Sequence, residues 1–359
     1  MKYRFFSLFI GMAGALLFSV LNLPVPWLLG PMIAVLIGSS IFKGRLLWSK
    51  KLRDGAMIVI GYTIGLSMTA TALYSMVKQL PFMLIMTLLL LSYSAGIAIL
   101  VSKISGIDYK TALLGSIPGG LTQVLILAEE TEGVNLTIVT VTQVLRLMMI
   151  IIFIPLLAFS SLFSGGNAVT AAVHASAATS ASWEGLFPNI LLFAPVAIVL
   201  ALLGNRIRFP TAFLLGPAIG TIILQVAGIQ GQELPPAITD AAQLMIGIQV
   251  GLMLKPGELS KKMRTLSLAV VSGLLLMVGA IGLGFLLTKL IHISSATGLL
   301  SLAPGGMDQM SIITQEIHAN LYIVAGYQLF RTFFIFFAIP PLLRFLFKAV
   351  PLKASHSNG

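Results

Sequence analysis

Not one cysteine occurs in the 359 residues, so disulfides, thiolate metal sites and cysteine nucleophiles are excluded together. Histidine is nearly as scarce. His174, His292, His318 and His356 are scattered without ligand-type spacing, which leaves metal enzymology without its usual donors. Charged residues make up only 9% of the chain against 57% hydrophobic, and a soluble domain of this size built so would have a largely greasy surface. Strand alternation is missing, which argues against a membrane barrel. A nucleotide-binding motif is missing as well, so energy for any work would have to come from an ion gradient.

What fills the sequence instead is apolar runs of the length a helix needs to cross a bilayer. They lie at roughly 5–21, 27–42, 55–77, 80–102, 107–130 and 136–163, and a second set follows. The expected fold class is an all-α polytopic membrane protein. A formal charge of +11 would elsewhere suggest nucleic acid. Here Lys and Arg sit in short clusters between apolar runs, as cytoplasmic loops do, so no nucleic-acid partner is expected. The basic loops read as topology determinants that also touch anionic membrane lipid.

The halves are copies. At an offset of 186 residues, Gly30-Pro31 meets Gly216-Pro217, Gly61 meets Gly247, Gly65 meets Gly251, and Pro118-Gly119-Gly120 meets Pro304-Gly305-Gly306. Gln123 and Glu130 likewise meet Gln309 and Glu316. After one deletion, an offset of 185 joins Gln143 to Gln328, Arg146 to Arg331 and Pro155 to Pro340. Such a register is an internal duplication. The first run follows Lys2 and Arg4 and imitates a signal peptide, but its match at 191–207 makes it a structural span. The chain then divides into a first membrane repeat (1–163), an Ala/Ser/Gly-rich linker (164–185), a second repeat (186–347) and a cytoplasmic tail (348–359).

Loop charge orients the repeats. Lys43, Arg45, Lys50, Lys51 and Arg53 follow the second run, while the matching loop "GIQGQELPPAITD" has no positive charge. After the third run the first half has Lys78 alone, against Lys255, Lys261, Lys262 and Arg264 in the second. Positive loops belong in the cytoplasm, so the repeats are expected to be inverted relative to each other in the cytoplasmic membrane, with both termini cytoplasmic. Inversion requires an odd number of crossings per half, giving about ten crossings plus two segments that do not simply cross. The candidates are the two runs interrupted by PGG. Each is either a re-entrant hairpin with a mid-membrane tip or a crossing helix broken at PGG, and irregular backbone at that depth must be buried in protein or line a watery cavity.

The candidate substrate-binding residues gather around these breaks. Pro118, Gly119 and Gly120, with Pro304, Gly305 and Gly306, end one limb and allow close approach. The next limb starts with free N–H groups that favour an anion, and Gln123 and Gln309 stand in its first turn. Arg146 and Arg331 lie deep in the last run of each half, nearly one turn after Gln143 and Gln328. A mid-membrane arginine costs ~2.5 kcal/mol or more and must face partners or water. An ion pair with Glu130 or Glu316 competes with a ligand role. Asp308 replaces Thr122 of the first half and reads either as an ion-coupling carboxylate or as a helix cap. Glu130 and Glu316 complete the ion-coupling candidates. The Gly-Pro pairs and "GYTIGL" against "GIQVGL" read as close helix packing.

The doubled PGG…Q and Q…R…P blocks resemble those of the membrane AbrB-type family, whose members carry the AbrB duplication twice. The resemblance covers essentially the whole chain. That family shares only its name with the small DNA-binding transition-state regulator. Its members carry labels as regulators of gene expression or as ammonia monooxygenases, and its plan is similar to that of cation/proton antiporters and bile-acid/sodium symporters. The reading that follows is an ion-coupled secondary transporter of a small anionic solute, with H⁺ or Na⁺ as coupling ion, no cofactor, and room for homo-oligomers. The alternative is a membrane sensor or regulator affecting gene expression without transport. An enzyme is not expected, because four scattered histidines cannot hold a copper centre.

Overall fold

The computed structural model describes residues 2–42, 45–119, 121–160, 187, 189–207, 209, 211–253 and 263–349. The linker at 164–185 and the tail from residue 350 lie outside these. The described residues form helices and connecting loops without a strand. The first half gives α1 (Lys2–Val20), α2 (Pro26–Ile41), α3 (Lys50–Ser67), α4 (Ala70–Ser105), α5 (Tyr109–Ser116), α6 (Leu121–Glu130) and α7 (Leu136–Ala158). The second gives α8 (Ile190–Arg206), α9 (Ala212–Val226), α10 (Pro236–Gly251), α11 (Met263–Ile291), α12 (Ser295–Leu302), α13 (Met307–Glu316) and α14 (Leu321–Ala349). The same sequence of long and short helices thus occurs twice. Spans in α1, α4, α7, α11 and α14 are long and apolar enough to cross a membrane, and α2, α8 and α9 are shorter apolar helices. The protein is a polytopic, all-helical membrane protein.

Two boundaries differ from the sequence reading. The break expected near Lys78 falls at Met68–Thr69 instead, where the Thr69 hydroxyl accepts from the Ala72 N–H and starts α4. Lys78 is therefore no loop charge but a helical residue one turn from Tyr74, its Nζ 4.4 Å from the ring centroid. At the far end, α14 runs on to Ala349, two residues into the stretch read as tail.

The duplication also explains how the helices sort. Helices α1–α3 and α8–α10 pack among themselves, with α3 against α8 and α9 of the second half and α10 against α1 and α2 of the first. Glycines set these crossings. A Cβ on Gly61 would collide with the Leu214 carbonyl oxygen, and one on Gly247 with that of Leu28. The small-residue spacings are indeed packing seams. Helices α4–α7 and α11–α14 form a second bundle, and α3 joins the two by lying against α13 and α14. Where the bundles face each other, the main core gathers Ile60 and Ile64 of α3, Ile150 and Ile154 of α7, and Met310 and Ile313 of α13.

The interrupted runs are hairpins. Asp108 caps α5 by accepting from the Lys110 and Thr111 N–H groups, and Ser294 caps α12 through the Thr297 N–H. The Asn135 N–H, just before α7, donates to Thr111 Oγ1 at 3.0 Å, so the chain after α6 has returned to where α5 began. Asn320 N–H to Thr297 Oγ1, 3.2 Å, repeats this in the second half. At 1.5 Å per residue the ten-residue limbs α6 and α13 reach about 15 Å, half of a ~30 Å hydrocarbon core. Thr111 and Thr297 are buried. Thr297→Val should therefore cost about 1–2 kcal/mol, because it leaves the Asn320 N–H without its acceptor. Thr297→Ser should be nearly neutral. The check is the unfolding midpoint of the purified protein.

Candidate functional site

Each hairpin ends its first limb with carbonyl groups that have no helical partner, and the following long helix supplies donors to them. Gln143 Nε2 on α7 donates to the carbonyls of Leu114 (2.7 Å), Gly115 (3.2 Å) and Ile117 (3.2 Å). Arg146, nearly one turn on, donates through Nη1 to the Ile117 carbonyl at 2.8 Å, with longer contacts to Gly115 and Ser116. Its Nη2 donates to Gln143 Oε1, so the two side chains fix each other. The second half repeats the arrangement. Gln328 Nε2 reaches the carbonyls of Leu300 (2.8 Å) and Ala303 (3.1 Å). Arg331 reaches those of Leu302, Ala303 and Gly305 and donates to Gln328 Oε1. These four side chains are at most 4% exposed.

Electrostatically, each guanidinium sits on the negative end of a short helix, which offsets about half a charge. No carboxylate lies within ion-pair distance of either arginine among the described residues, where the Arg53–Asp54 contact at 2.9 Å is the ion pair found. The alternative pairing of Arg331 with Glu316 is therefore not made. Carbonyls took that role because they are nearer and need no second buried charge. Arg146 lies within electrostatic range of Arg331, and its Nε is buried without an acceptor.

The PGG turns place the tips against the opposite half. A Cβ at Gly119 would meet Ile335 of α14 at 3.3 Å, and one at Gly305 would meet Ile150 of α7 at 3.1 Å. Pro118 and Pro304 follow the last turns of α5 and α12, where a helix must stop. Gly120 lies outside the described residues, as do the side chains of Gln123 and Glu130. At the second tip, Gly306 is the N-cap of α13 and contributes no side chain. The buried Asp308 carboxylate stands in the first turn of α13 and accepts from Gln309 Nε2 at 2.8 Å. No side chain caps this helix end by a hydrogen bond, and Gln309 Oε1 and Ser311 Oγ are buried and unpartnered.

Glu316 is separated from this group. It ends α13, about 13 Å of helix away from the tip, and accepts from Gln243 Nε2 of α10 at 3.0 Å. Beside it, a cavity of about 520 Å³ is lined by Thr63 and Ser67 of α3, Glu233 and Thr239 at the start of α10, and Gln315 and His318 after the second tip. Sequence reasoning missed Asp240 and Gln243. Asp54 and Asp240 stand 186 residues apart, so the register held the signal, but the neighbouring glycines drew the reading to packing alone.

The family described as "Transition state regulatory protein AbrB" matches residues 27–347. A protein of Escherichia coli (strain K12) named "Putative regulator AbrB" is 27% identical over 343 residues, 94% of each chain. "Uncharacterized protein YhjN" of Bacillus subtilis (strain 168) is 26% identical over 360 residues, covering 94% of this chain and 91% of its own.

Proposed function

This chain belongs to the AbrB family, and we propose that it is an ion-coupled secondary transporter of a small organic anion in the cytoplasmic membrane. The observation that carries the reading is the pair of buried arginines at the hairpin tips, their charges met by carbonyls and glutamine with no carboxylate among the described residues. Two such cations in mutual range call for a mobile negative partner. The repeats would be inverted, with 1–163 and 186–347 as the two membrane units and α5–α6 and α12–α13 as re-entrant hairpins entering from opposite faces. Gly119, Gly120, Gln123, Gly305, Gly306 and Gln309 would complete the solute site, with the helix N-termini at the tips offering N–H groups to an anion. H⁺ or Na⁺ would supply the driving force. A regulatory effect of the kind the Escherichia coli relative's name states would follow from altered solute levels rather than from nucleic-acid binding.

The test is thermal unfolding of the purified protein against small carboxylates, neutral solutes and organic cations, followed by flux into proteoliposomes. A carboxylate should raise Tm by mass action. Arg146→Lys and Arg331→Lys, which keep the charge but lose the planar fork, should weaken that response about tenfold, or about 1.4 kcal/mol. Stabilisation by neutral or cationic solutes alone would overturn the anion reading.

A further inference from the structure

Only the second tip carries a carboxylate, Asp308, whose place in the first half is held by Thr122. Asp308 is 8% exposed, buried without being sealed, and no ion pair reaches it among the described residues. What it has is its neighbour: Gln309 Nε2 donates to Asp308 Oδ2 at 2.8 Å. The other end of that amide is left over. Gln309 Oε1 is buried and finds no donor, in a side chain 4% exposed. Its direction is marked by Gly306, the N-cap of α13. A Cβ added there would stand 2.0 Å from Gln309 Oε1 and 2.7 Å from Asp308 Oδ1. With a φ of −75° the backbone asks for no glycine at 306; the two oxygens crowding its α-carbon do. Two acceptors thus face one spot at the N-terminus of a ten-residue helix, where an anion would otherwise be welcome.

That arrangement belongs to the ionised carboxylate, which can only accept, so the amide turns its NH₂ to Oδ2. A protonated carboxyl needs the reverse. Its O–H requires an acceptor, and a half-turn of the Gln309 amide about its Cγ–Cδ bond supplies Oε1 in place of Nε2 with almost no change of shape. The NH₂ then lies over Gly306 and donates outward. We infer that Asp308 and Gln309 form a proton switch, which admits the solute anion to the second tip only when Asp308 is protonated. The proton removes a negative charge from the helix end and exchanges an acceptor for a donor at the point of contact. Proton and anion therefore bind together, and binding is lost as the pH rises. The inference rests on the transporter reading and names its coupling ion. Of the helices packed against α13, α3 brings Arg53, within electrostatic range of Asp308 but paired to Asp54 at 2.9 Å. Helix α14 brings Arg331 to the Gly305 carbonyl, and α12 has no titratable side chain. On α13 itself, Glu316 lies at the far end.

The experiment is infrared difference spectroscopy of the full-length protein in liposomes, acid against alkaline buffer and without solute. Acidification should raise the C=O band of a buried carboxyl together with a shift of a glutamine amide band. Asp308→Asn should abolish both, and Gln309→Met the amide shift. Asp308→Thr, which puts the first half's residue into the matching hairpin, keeps the test open if the Asn variant misfolds. No carboxyl band in wild type, a band unchanged in both Asp308 variants, or an amide shift that persists in Gln309→Met would each overturn the switch. Thermal unfolding with acetate, succinate and citrate, at equal concentrations of the ionised form, then tests the coupling. The wild-type affinity should be about tenfold weaker in alkaline than in acid buffer. Asp308→Asn, whose amide donates at any pH, should lose that difference. A pH-independent wild-type response would overturn the coupling. The solute reading fails separately: a protein that keeps the infrared signature but responds to no carboxylate retains the switch and loses that reading.

Discussion

Arg331→Ala should lower the stability of the protein by about 3 kcal/mol or more. The substitution strips donors from the carbonyls of Leu302, Ala303 and Gly305 and takes the Gln328 amide oxygen's partner as well. Each buried carbonyl left bare costs about 1–3 kcal/mol, although Gln328 Nε2 still serves Ala303. The insertion cost of the arginine, ~2.5 kcal/mol, weighs on the unfolded chain in the membrane too, so its relief largely cancels. Arg331→Lys should recover part of the loss, since an ammonium reaches one or two acceptors where the fork reaches several. Gln328→Ala should cost about 2 kcal/mol, and the double change less than the sum, because each side chain holds the other in place. Arg146 and Gln143 should behave alike. Unfolding midpoints of the four second-half variants decide the matter. An unchanged midpoint for Arg331→Ala would mean that the carbonyls find other donors and that the clamp is not structural.

Gly247→Leu should be comparably severe for a different reason. Even the first atom of the new side chain would fall on the Leu28 carbonyl oxygen of α2, and a backbone atom cannot swing aside. Overpacking of this kind costs about 1–3 kcal/mol for Ala and more for Leu, with the Gly61 seam against Leu214 as its counterpart. Gly55, also helical, provides the control. A Cβ there meets nothing within 4 Å, so Gly55→Ala should stabilise by about 0.5–1 kcal/mol through chain entropy. Midpoints that fail to separate Gly247→Ala from Gly55→Ala would refute the packing argument.

Much of this architecture is legible in the sequence, and the misses have physical causes. Repeated PGG, Gln and Arg positions announced two equivalent breaks, because proline followed by two glycines disfavours a helix far more than a single proline, such as Pro81 or Pro155, which stays inside one. They could not say whether the limbs fold back. That depends on Thr111 meeting Asn135 and Thr297 meeting Asn320, contacts between distant residues of ordinary type. The same limit explains the arginines. Burial followed from their depth in an apolar run, but backbone carbonyls leave no mark in a sequence, so only a carboxylate or a ligand could be read as partner. Lys78 misled because a lone cation between apolar runs looks like a loop, whereas Thr69 and Ala72 make the actual start of α4. Gln243 escaped because its partner, Glu316, lies on a helix 73 residues away in sequence.

The ties on each hairpin have a consequence for motion. Threonine fastens its base to the cap of the helix that follows, and the Gln–Arg pair fastens its tip to the flank of that same helix. A loop so splinted cannot flap like a lid without breaking several buried hydrogen bonds at once. Hairpin and helix are held as one stiff plank, and the second plank meets the other bundle far more loosely: α3 makes no side-chain hydrogen bond to α13, and Gln243 to Glu316 is the one such tie among the described residues.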